Sequence, residues 1–202
     1  MTVASTAADA PTLYAGADQR VLLLPGWLDS DASHWQSRWE ALFGHRRVQQ
    51  SDWLWPRRGD WMARLEEVLL EGDRPALLVA HSLGCHLVAA WAAHSRHCAR
   101  VAAALLVAPP DVERDDMPPN LFNWRPMERR PLPFHSWVVT SSDDPYATSA
   151  RSLNLAVAWG SGLTELGPFG HLNGESGLGD WPEGMQLLLA LAASSAPGRP
   201  QP

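Results

Sequence analysis

The chain has 202 residues, 46% of them hydrophobic, and a formal net charge of −6 from 22 acidic and 16 basic residues. A chain of this length buries roughly 70% of its unfolded surface as one domain, and its acidic balance argues against nucleic acid or an anionic membrane as the main partner. Cys85 and Cys98 are the only cysteines, which excludes a disulfide framework and fits a reducing compartment.

Both ends of the chain have the composition of disordered segments. Residues 1–18 and 195–202 are small, polar and proline-containing, so we expect one folded domain over residues 19–194. The N-terminal residues lack a basic start followed by an apolar core, which predicts no secretory signal. No apolar run reaches the roughly 18 residues of a membrane span. These features predict a cytoplasmic protein.

Between these ends, short apolar runs alternate with segments of helical periodicity. Strands are predicted at residues 21–24, 47–50, 76–80, 101–108, 137–141 and 163–166. Helices are predicted at residues 34–43, 60–70, 83–95, 147–159 and 181–193. An irregular, proline-rich segment at 111–134 separates the fourth strand from the fifth. This alternation predicts an α/β fold with a parallel sheet of six strands in the order 2-1-3-4-5-6 and helices on both faces.

The end of the third strand carries the strongest chemical signal. The sequence Ala80-His81-Ser82-Leu83-Gly84 places a serine between small residues where a strand becomes a helix. This is the pattern of a nucleophile elbow, with alanine in place of the first glycine. Serine is also a favoured helix N-cap, and that simpler interpretation predicts nothing about distant residues.

The catalytic interpretation requires an acid and then a histidine after later strands. Asp144 follows the fifth strand and His171 follows the sixth, in the required order. Ligands bind at the carboxyl ends of the strands in open α/β sheets, where all three residues fall. We therefore predict that Ser82, His171 and Asp144 form a catalytic triad. Asp143 and Asp111 remain alternative acids, since each also follows a strand.

The chain resembles the α/β-hydrolases, and in particular the small serine hydrolases grouped with retinoblastoma-binding protein 9 and the YdeN-type proteins. The segments that carry the resemblance are LLLPGW, HWQSRWE, LLVAHSLGC, ALLVAPPDV, SSDDPY and GHLNGESGLGDWPEG, which together span residues 21–184. The resemblance implies acyl hydrolysis without metal or cofactor, with the family's serine, aspartate and histidine at Ser82, Asp144 and His171.

Acyl-transfer chemistry assigns further roles around the triad. An oxyanion needs two backbone N–H donors, which we expect from Leu83, after the nucleophile, and from Trp27, after the first strand. Candidates for the substrate pocket are Trp27, His81, Trp53 and Trp124. The group His86, His94, His97 and Cys98 lacks the spacing of a zinc site, so no metal site is predicted.

These observations predict a serine hydrolase that cleaves a small-molecule acyl ester, amide or thioester. The proline-rich segment is too broken for a cap domain, which predicts an open, shallow cleft bordered by that segment and Trp27. The alternative is a protein-interaction module on a hydrolase fold with little turnover. No nucleic-acid or membrane partner is expected, and the sequence leaves the oligomeric state open.

Overall fold

Six parallel strands form the centre of the molecule, and a computed structural model of the chain describes residues 20–195. The strands are β1 (Arg20–Leu24), β2 (Arg46–Arg47), β3 (Ala76–His81), β4 (Val101–Val107), β5 (His135–Ser141) and β6 (Gly162–Leu166). They are hydrogen-bonded in the order β2-β1-β3-β4-β5-β6, which confirms the predicted strand order. The terminal segments predicted to be disordered lie outside the described residues, apart from Ser195.

In the described part of the chain, five α-helices cover the two faces of the sheet: α1 (Trp35–Phe43), α2 (Arg58–Leu70), α3 (Leu83–Ala92), α4 (Ser149–Trp159) and α5 (Pro182–Ser194). Helices α1 and α5 share one apolar core with alternate side chains of the central strands, such as Leu77 and Val79 of β3. Helices α2, α3 and α4 share the other core, which receives Leu78 and Ala80. Successive strand residues point to opposite faces, so β3 must be apolar throughout to serve both cores.

Two predicted elements end three residues earlier in the structure. Strand β2 ends at Arg47 rather than residue 50 because β1, its one neighbour within residues 20–195, ends at Leu24. The backbone N–H of Val48 still donates to Leu23, and the chain then leaves the sheet. Helix α3 ends at Ala92 rather than residue 95. No helix within residues 20–195 combines the length and apolarity required to cross a bilayer.

The segment between β4 and β5 contains one regular element, a 3₁₀ helix at Pro119–Trp124. We call residues 108–134 the cavity loop. As predicted from its prolines, it forms no cap domain. It instead folds back over the carboxyl ends of the strands, where Trp27, Ser82, Asp144 and His171 all lie.

Candidate active site

Ser82 occupies a sharp turn between β3 and α3. Its backbone has φ 54° and ψ −123°, a conformation that L-residues rarely adopt. The turn is held by the Ser82 N–H, which donates to the carbonyl of Val107 at 2.9 Å. Ser82 stands at the N-cap position, but its hydroxyl makes no capping hydrogen bond. The structure therefore does not use this serine as a helix cap, and the strained turn needs another explanation.

Small neighbours make this turn possible. A Cβ at Gly84 would run into the carbonyl oxygens of Leu24 and Pro25, and one at Gly26 would lie 2.6 Å from the Ser82 Cβ. Both positions therefore require glycine, although only Gly84 belongs to the pattern recognised in the sequence. The alanine that replaces the first glycine of that pattern, Ala80, is accommodated with its methyl group in the core.

Three side chains from different strand ends form a hydrogen-bonded row. The Nε2 atom of His171 lies 2.9 Å from the Oγ of Ser82. The Nδ1 atom of His171 lies 3.0 Å from each carboxylate oxygen of Asp144. The Asp144 side chain is 1% exposed, and its Oδ1 also accepts the backbone N–H of Tyr146 at 2.9 Å. A carboxylate held in this way fixes the Nδ1–H tautomer of His171 and leaves Nε2 free to accept the serine proton.

The two alternative acids are engaged elsewhere. Asp143 accepts hydrogen bonds from the hydroxyl of Ser141 and the backbone N–H of Gly170. These bonds lower the pKa of its carboxyl group and tie the turn after β5 to the loop after β6. Asp111 pairs with Arg151 of α4 at 2.9 Å. Among the three candidates, the geometry of a triad acid is found at Asp144.

Leu83 and Trp27, whose backbone N–H groups are expected to form an oxyanion hole, line the same cavity as Ser82. Leu83 is the first residue of α3, so its N–H has no partner within the helix, and its amide lies at the positive end of the helix dipole. Trp27 follows β1, and its indole N–H donates to the carbonyl of Leu54 at 3.0 Å. Within residues 20–195, neither backbone N–H is bonded to an acceptor. Both are therefore available to a ligand oxygen.

Two aromatic side chains hold His171 in place. The His81 Nε2 bonds the backbone carbonyl of His171 at 2.9 Å, so its proton lies on that nitrogen. Burial lowers the pKa of His81 well below its ordinary value, with His34 and His171 adding to the shift. The Tyr146 ring packs edge-on against the His171 ring at 4.6 Å between centroids. The sequence left His81 between lining the site and packing, and the structure places it in both.

A cavity of about 310 Å³ opens in front of Ser82. This volume is at the lower end of the range for small-molecule sites. The cavity loop supplies an apolar wall of Met117, Pro118 and Leu121, and Tyr146 adds an aromatic edge. The remaining lining residues are Trp27, Leu28, Asp29, Asp31, His34, His81, Ser82, Leu83, Pro110, His171 and Asn173.

Two predicted pocket residues do not line this cavity. Trp124 is 1% exposed, packs edge-on against Trp61, and donates its indole N–H to the carbonyl of Pro56 at 2.8 Å. Trp53 packs against the same core, also edge-on to Trp61. Both loop residues were expected in the pocket because they follow the periodicity of no helix, but in the structure both pack against Trp61 of α2.

The charge of the cavity is one-sided. Asp29 and Asp31 line it, and the Asp29 carboxylate is paired with Arg47 at 2.7 Å. Along the described part of the chain, no arginine borders the cavity, and the sequence has no lysine. An anionic substrate would therefore meet the Asp31 carboxylate without a cationic side chain in the cavity lining, since Arg47 is paired with Asp29.

The histidine and cysteine group on and after α3 is dispersed among separate partners. His86 is buried and bonds the carbonyl of Pro110 at 2.7 Å through Nε2. His94 bonds the carbonyl of Ala90, and His97 bonds the carboxylate of Glu66. These side chains point to different partners rather than to a common centre.

Several cavity residues had no role in the sequence-based prediction. His34, Tyr146 and Asn173 lie in the segments HWQSRWE, SSDDPY and GHLNGESGLGDWPEG, so the resemblance had marked their segments without assigning them a role. Met117 and Leu121 carried no signal. They reach the cavity only through the path of the cavity loop.

Comparison with known proteins connects this geometry to a family. A family model described as serine hydrolase matches residues 21–190. The structure is similar to that of a YdeN-like hydrolase from Pectobacterium atrosepticum, with a TM-score of 0.79 and 29% identity over 89% of this chain and 94% of that chain. No curated protein sequence matches the chain.

Two more distant structures show the fold alone. The ydeN gene product of Bacillus subtilis has a TM-score of 0.66 and 20% identity, over 87% of this chain and 99% of that chain. The carboxylesterase CesB from Bacillus subtilis has a TM-score of 0.60 and 16% identity, over 90% of this chain and 86% of that chain. The α/β-hydrolase architecture predicted from the sequence is confirmed.

Proposed function

The chain belongs to the serine hydrolase family, and from that premise we propose that it is an esterase that cleaves small acyl esters through an acyl-enzyme on Ser82. The observation that carries the proposal is the hydrogen-bonded row from the Ser82 hydroxyl through the His171 imidazole to the Asp144 carboxylate. One fold neighbour, CesB, is a carboxylesterase, which supports an ester as the substrate.

In the proposed mechanism, the Ser82 Oγ attacks the acyl carbon while Nε2 of His171 takes the hydroxyl proton. The backbone N–H groups of Leu83 and Trp27 donate to the oxygen that becomes negative in the tetrahedral intermediate. His171 then gives its proton to the leaving alcohol as the bond to the acyl carbon breaks. Asp144 stabilises the imidazolium in both steps.

Deacylation repeats the same steps with water in place of the serine hydroxyl. His171 removes a proton from water, the resulting oxygen attacks the acyl carbon, and the proton returns to the Oγ of Ser82 as the acid leaves. In these reaction steps, Ser82 and His171 transfer the protons, while Asp144 and the two backbone amides stabilise the charges that develop. The proposed reaction therefore calls for no further group.

Covalent labelling with a fluorophosphonate tests the proposal directly, since this reagent reacts with activated serines. We expect one labelled site, Ser82, and loss of labelling together with at least a roughly thousandfold loss of kcat in Ser82→Ala. Ser142→Ala is the matched control, because Ser142 is an exposed serine next to the Asp143–Asp144 turn. Turnover that survives in Ser82→Ala would remove the proposal and favour a different nucleophile. An unlabelled wild-type protein without turnover would favour the interaction-module alternative.

A further inference from the structure

His34 is a buried residue at the edge of the cavity that the proposed mechanism does not use. It stands at the N-cap of α1 and is 3% exposed. Its Nδ1 accepts the backbone N–H of Gln36 at 3.1 Å, as a capping side chain does. A ring nitrogen that accepts carries no proton, so the neutral His34 ring carries its proton on Nε2.

The Nε2–H group of His34 has no acceptor within residues 20–195. A buried donor without a partner destabilises a fold, and each such group in a native structure calls for an explanation. The neighbouring His81 does not supply one: its Nε2 donates to the carbonyl of His171, and its Nδ1, the only acceptor of that ring, is not hydrogen-bonded to His34. His34 lines the cavity together with Ser82, so the cavity is the place from which a ligand could offer an acceptor.

Two other buried histidines show what is particular to His34. His45 and His86 also have a ring nitrogen without a partner among the described residues. Neither of them lines the cavity. His86 moreover uses its N–H group on Pro110, so its unpartnered nitrogen is an acceptor. His34 alone of the three has an unpartnered donor at the cavity in front of Ser82.

The surroundings of His34 determine which acceptor fits. Burial lowers the pKa of His34 to about 4, so the ring donates as an uncharged group at neutral pH. The carboxylate of Asp31 also lines this end of the cavity, and its Oδ1 already accepts from the backbone N–H groups of Ser33 and His34. A negative charge on the ligand would be repelled there, whereas a neutral carbonyl or ether oxygen would not.

We infer that the substrate carries an uncharged oxygen acceptor near its scissile ester, and that Nε2–H of His34 binds this oxygen and sets substrate specificity. The inference rests on the proposed esterase function and extends it from acyl esters in general to esters with a second oxygen. The second oxygen can stand on the acyl side or on the alcohol side of the ester, and each placement has its own test.

Two pairs of isosteric substrates separate the two sides. On the acyl side, p-nitrophenyl methoxyacetate is compared with p-nitrophenyl butyrate. On the alcohol side, the 2-methoxyethyl ester of butyric acid is compared with its butyl ester. Within each pair, the ratio of kcat/KM for the ester with the extra oxygen to that for the plain ester is measured for wild type and variants, so that intrinsic reactivity cancels between proteins.

His34→Asn is the informative variant because asparagine is a favoured N-cap, so the start of α1 keeps its acceptor while the distal donor is lost. We expect the ratio in one pair to fall roughly three- to tenfold, the value of a single hydrogen bond. His45→Asn is the matched control, since it removes a buried histidine with an unpartnered Nε2 away from the cavity. That variant should leave both ratios unchanged.

The proposal is overturned if His34→Asn leaves both ratios as in wild type, which would mean that Nε2–H bonds only water. It is also overturned if His45→Asn lowers them equally. If His34→Asn does not fold, the wild-type protein decides: normalised to hydroxide-catalysed hydrolysis, kcat/KM must favour the oxygen-containing ester in at least one pair. Fluorophosphonate labelling of Ser82 in every variant separates these outcomes from failure of the esterase proposal itself.

Discussion

The elbow around Ser82 and the cavity loop face each other across the cavity, and they are held in place by different means. The elbow is fixed by its own backbone, because Gly84 and Gly26 allow approaches that no larger residue permits. The cavity loop is fixed by side chains that reach across it. Arg125 donates to the carbonyls of Val112 and Arg114, both at 2.6 Å.

Because of this difference, the groups proposed to react and the surface proposed to recognise the substrate lie in separate parts of the molecule. The reacting groups are placed by strand ends and a sterically forced turn, which tolerate little displacement. The apolar wall of the cavity belongs to a segment that is anchored by buried side chains such as Trp124 and by the hydrogen bonds of Arg125. Substitutions on the elbow side should therefore change kcat for every substrate, whereas substitutions in the cavity loop should change which substrate is preferred.

The largest effect is expected from the proposed acid. Asp144→Asn should lower kcat by about 10⁴ for short and long esters alike, because His171 loses the partner that fixes its tautomer. Asp111→Asn is the control, since Asp111 pairs with Arg151 rather than with His171. Steady-state kinetics on both variants decide the assignment. If Asp111→Asn gave the larger loss, the acid would lie after β4.

A second, smaller effect concerns stability and pH. Burial lowers the pKa of His86, on the helix that follows the elbow, to about 4. The unfolded chain takes up its proton near pH 6.5, so between about pH 6.5 and 4 the unfolded state binds more protons than the folded state. Stability therefore falls as the pH falls through this window, by on the order of 3 kcal/mol for His86 alone.

The cavity loop responds in a lower pH window. Hydrogen bonds from Arg129 and Arg130 lower the pKa values of Glu113 and Glu128, respectively, to about 2. Their contribution to stability is present above about pH 4.5 and is lost as the pH falls toward 2.

Urea unfolding tests the contribution of His86. At pH 7, 5.5 and 4.5, the loss of stability with falling pH should be shallower in His86→Gln than in wild type. Identical slopes would mean that His86 is protonated in the folded state.

The two regions also differ in how much of them could be predicted from the sequence. The elbow, the strand order and the positions of Ser82, Asp144 and His171 depend on apolar runs and turn residues that lie next to one another in the chain. The path of the cavity loop depends on bonds between distant residues, such as the Trp124 indole to the carbonyl of Pro56. Local sequence patterns do not predict hydrogen bonds between distant residues. They therefore place Trp124 in the pocket and give no signal for Leu121.

A third prediction tests the anchoring of the cavity loop. Arg125→Gln removes two charged hydrogen bonds and a guanidinium that stacks 4.1 Å from the centroid of the Phe122 ring. The loss of about 1–3 kcal/mol should lower Tm by roughly 3–8 °C. It should also raise KM more than it lowers kcat, because the wall moves while the elbow stays.

Arg130→Gln is the matched control for this prediction. Arg130 lies on the same loop, but its side chain is 57% exposed and pairs with Glu128, so solvent screens the interaction and we expect a smaller fall in Tm than in Arg125→Gln. Equal effects in the two variants would mean that the overall charge of the loop, rather than the bonds of Arg125 to its backbone, holds the wall in place.

The smallest expected effect is the change in kcat/KM for each methylene added to the acyl chain. This change depends on the volume of the cavity beside the cavity loop. Each methylene that enters the cavity of about 310 Å³ contributes roughly 0.8 kcal/mol, or about fourfold in kcat/KM, and one that stays in water contributes nothing. We expect p-nitrophenyl esters to reach their optimum at about two to six acyl carbons. Micelle formation should bring no jump in rate, because the loop is pinned to the body and contains no hinged helical cap.

Leu121→Ala connects this prediction to the wall itself. Leu121 lines the cavity and is 2% exposed, so its truncation should deepen the cavity and move the optimum toward longer chains by about one or two carbons. Leu153→Ala, at a 49% exposed position on α4, should leave the optimum in place. An unchanged optimum in Leu121→Ala would mean that the acyl chain extends away from the cavity loop, which would then border the leaving alcohol instead.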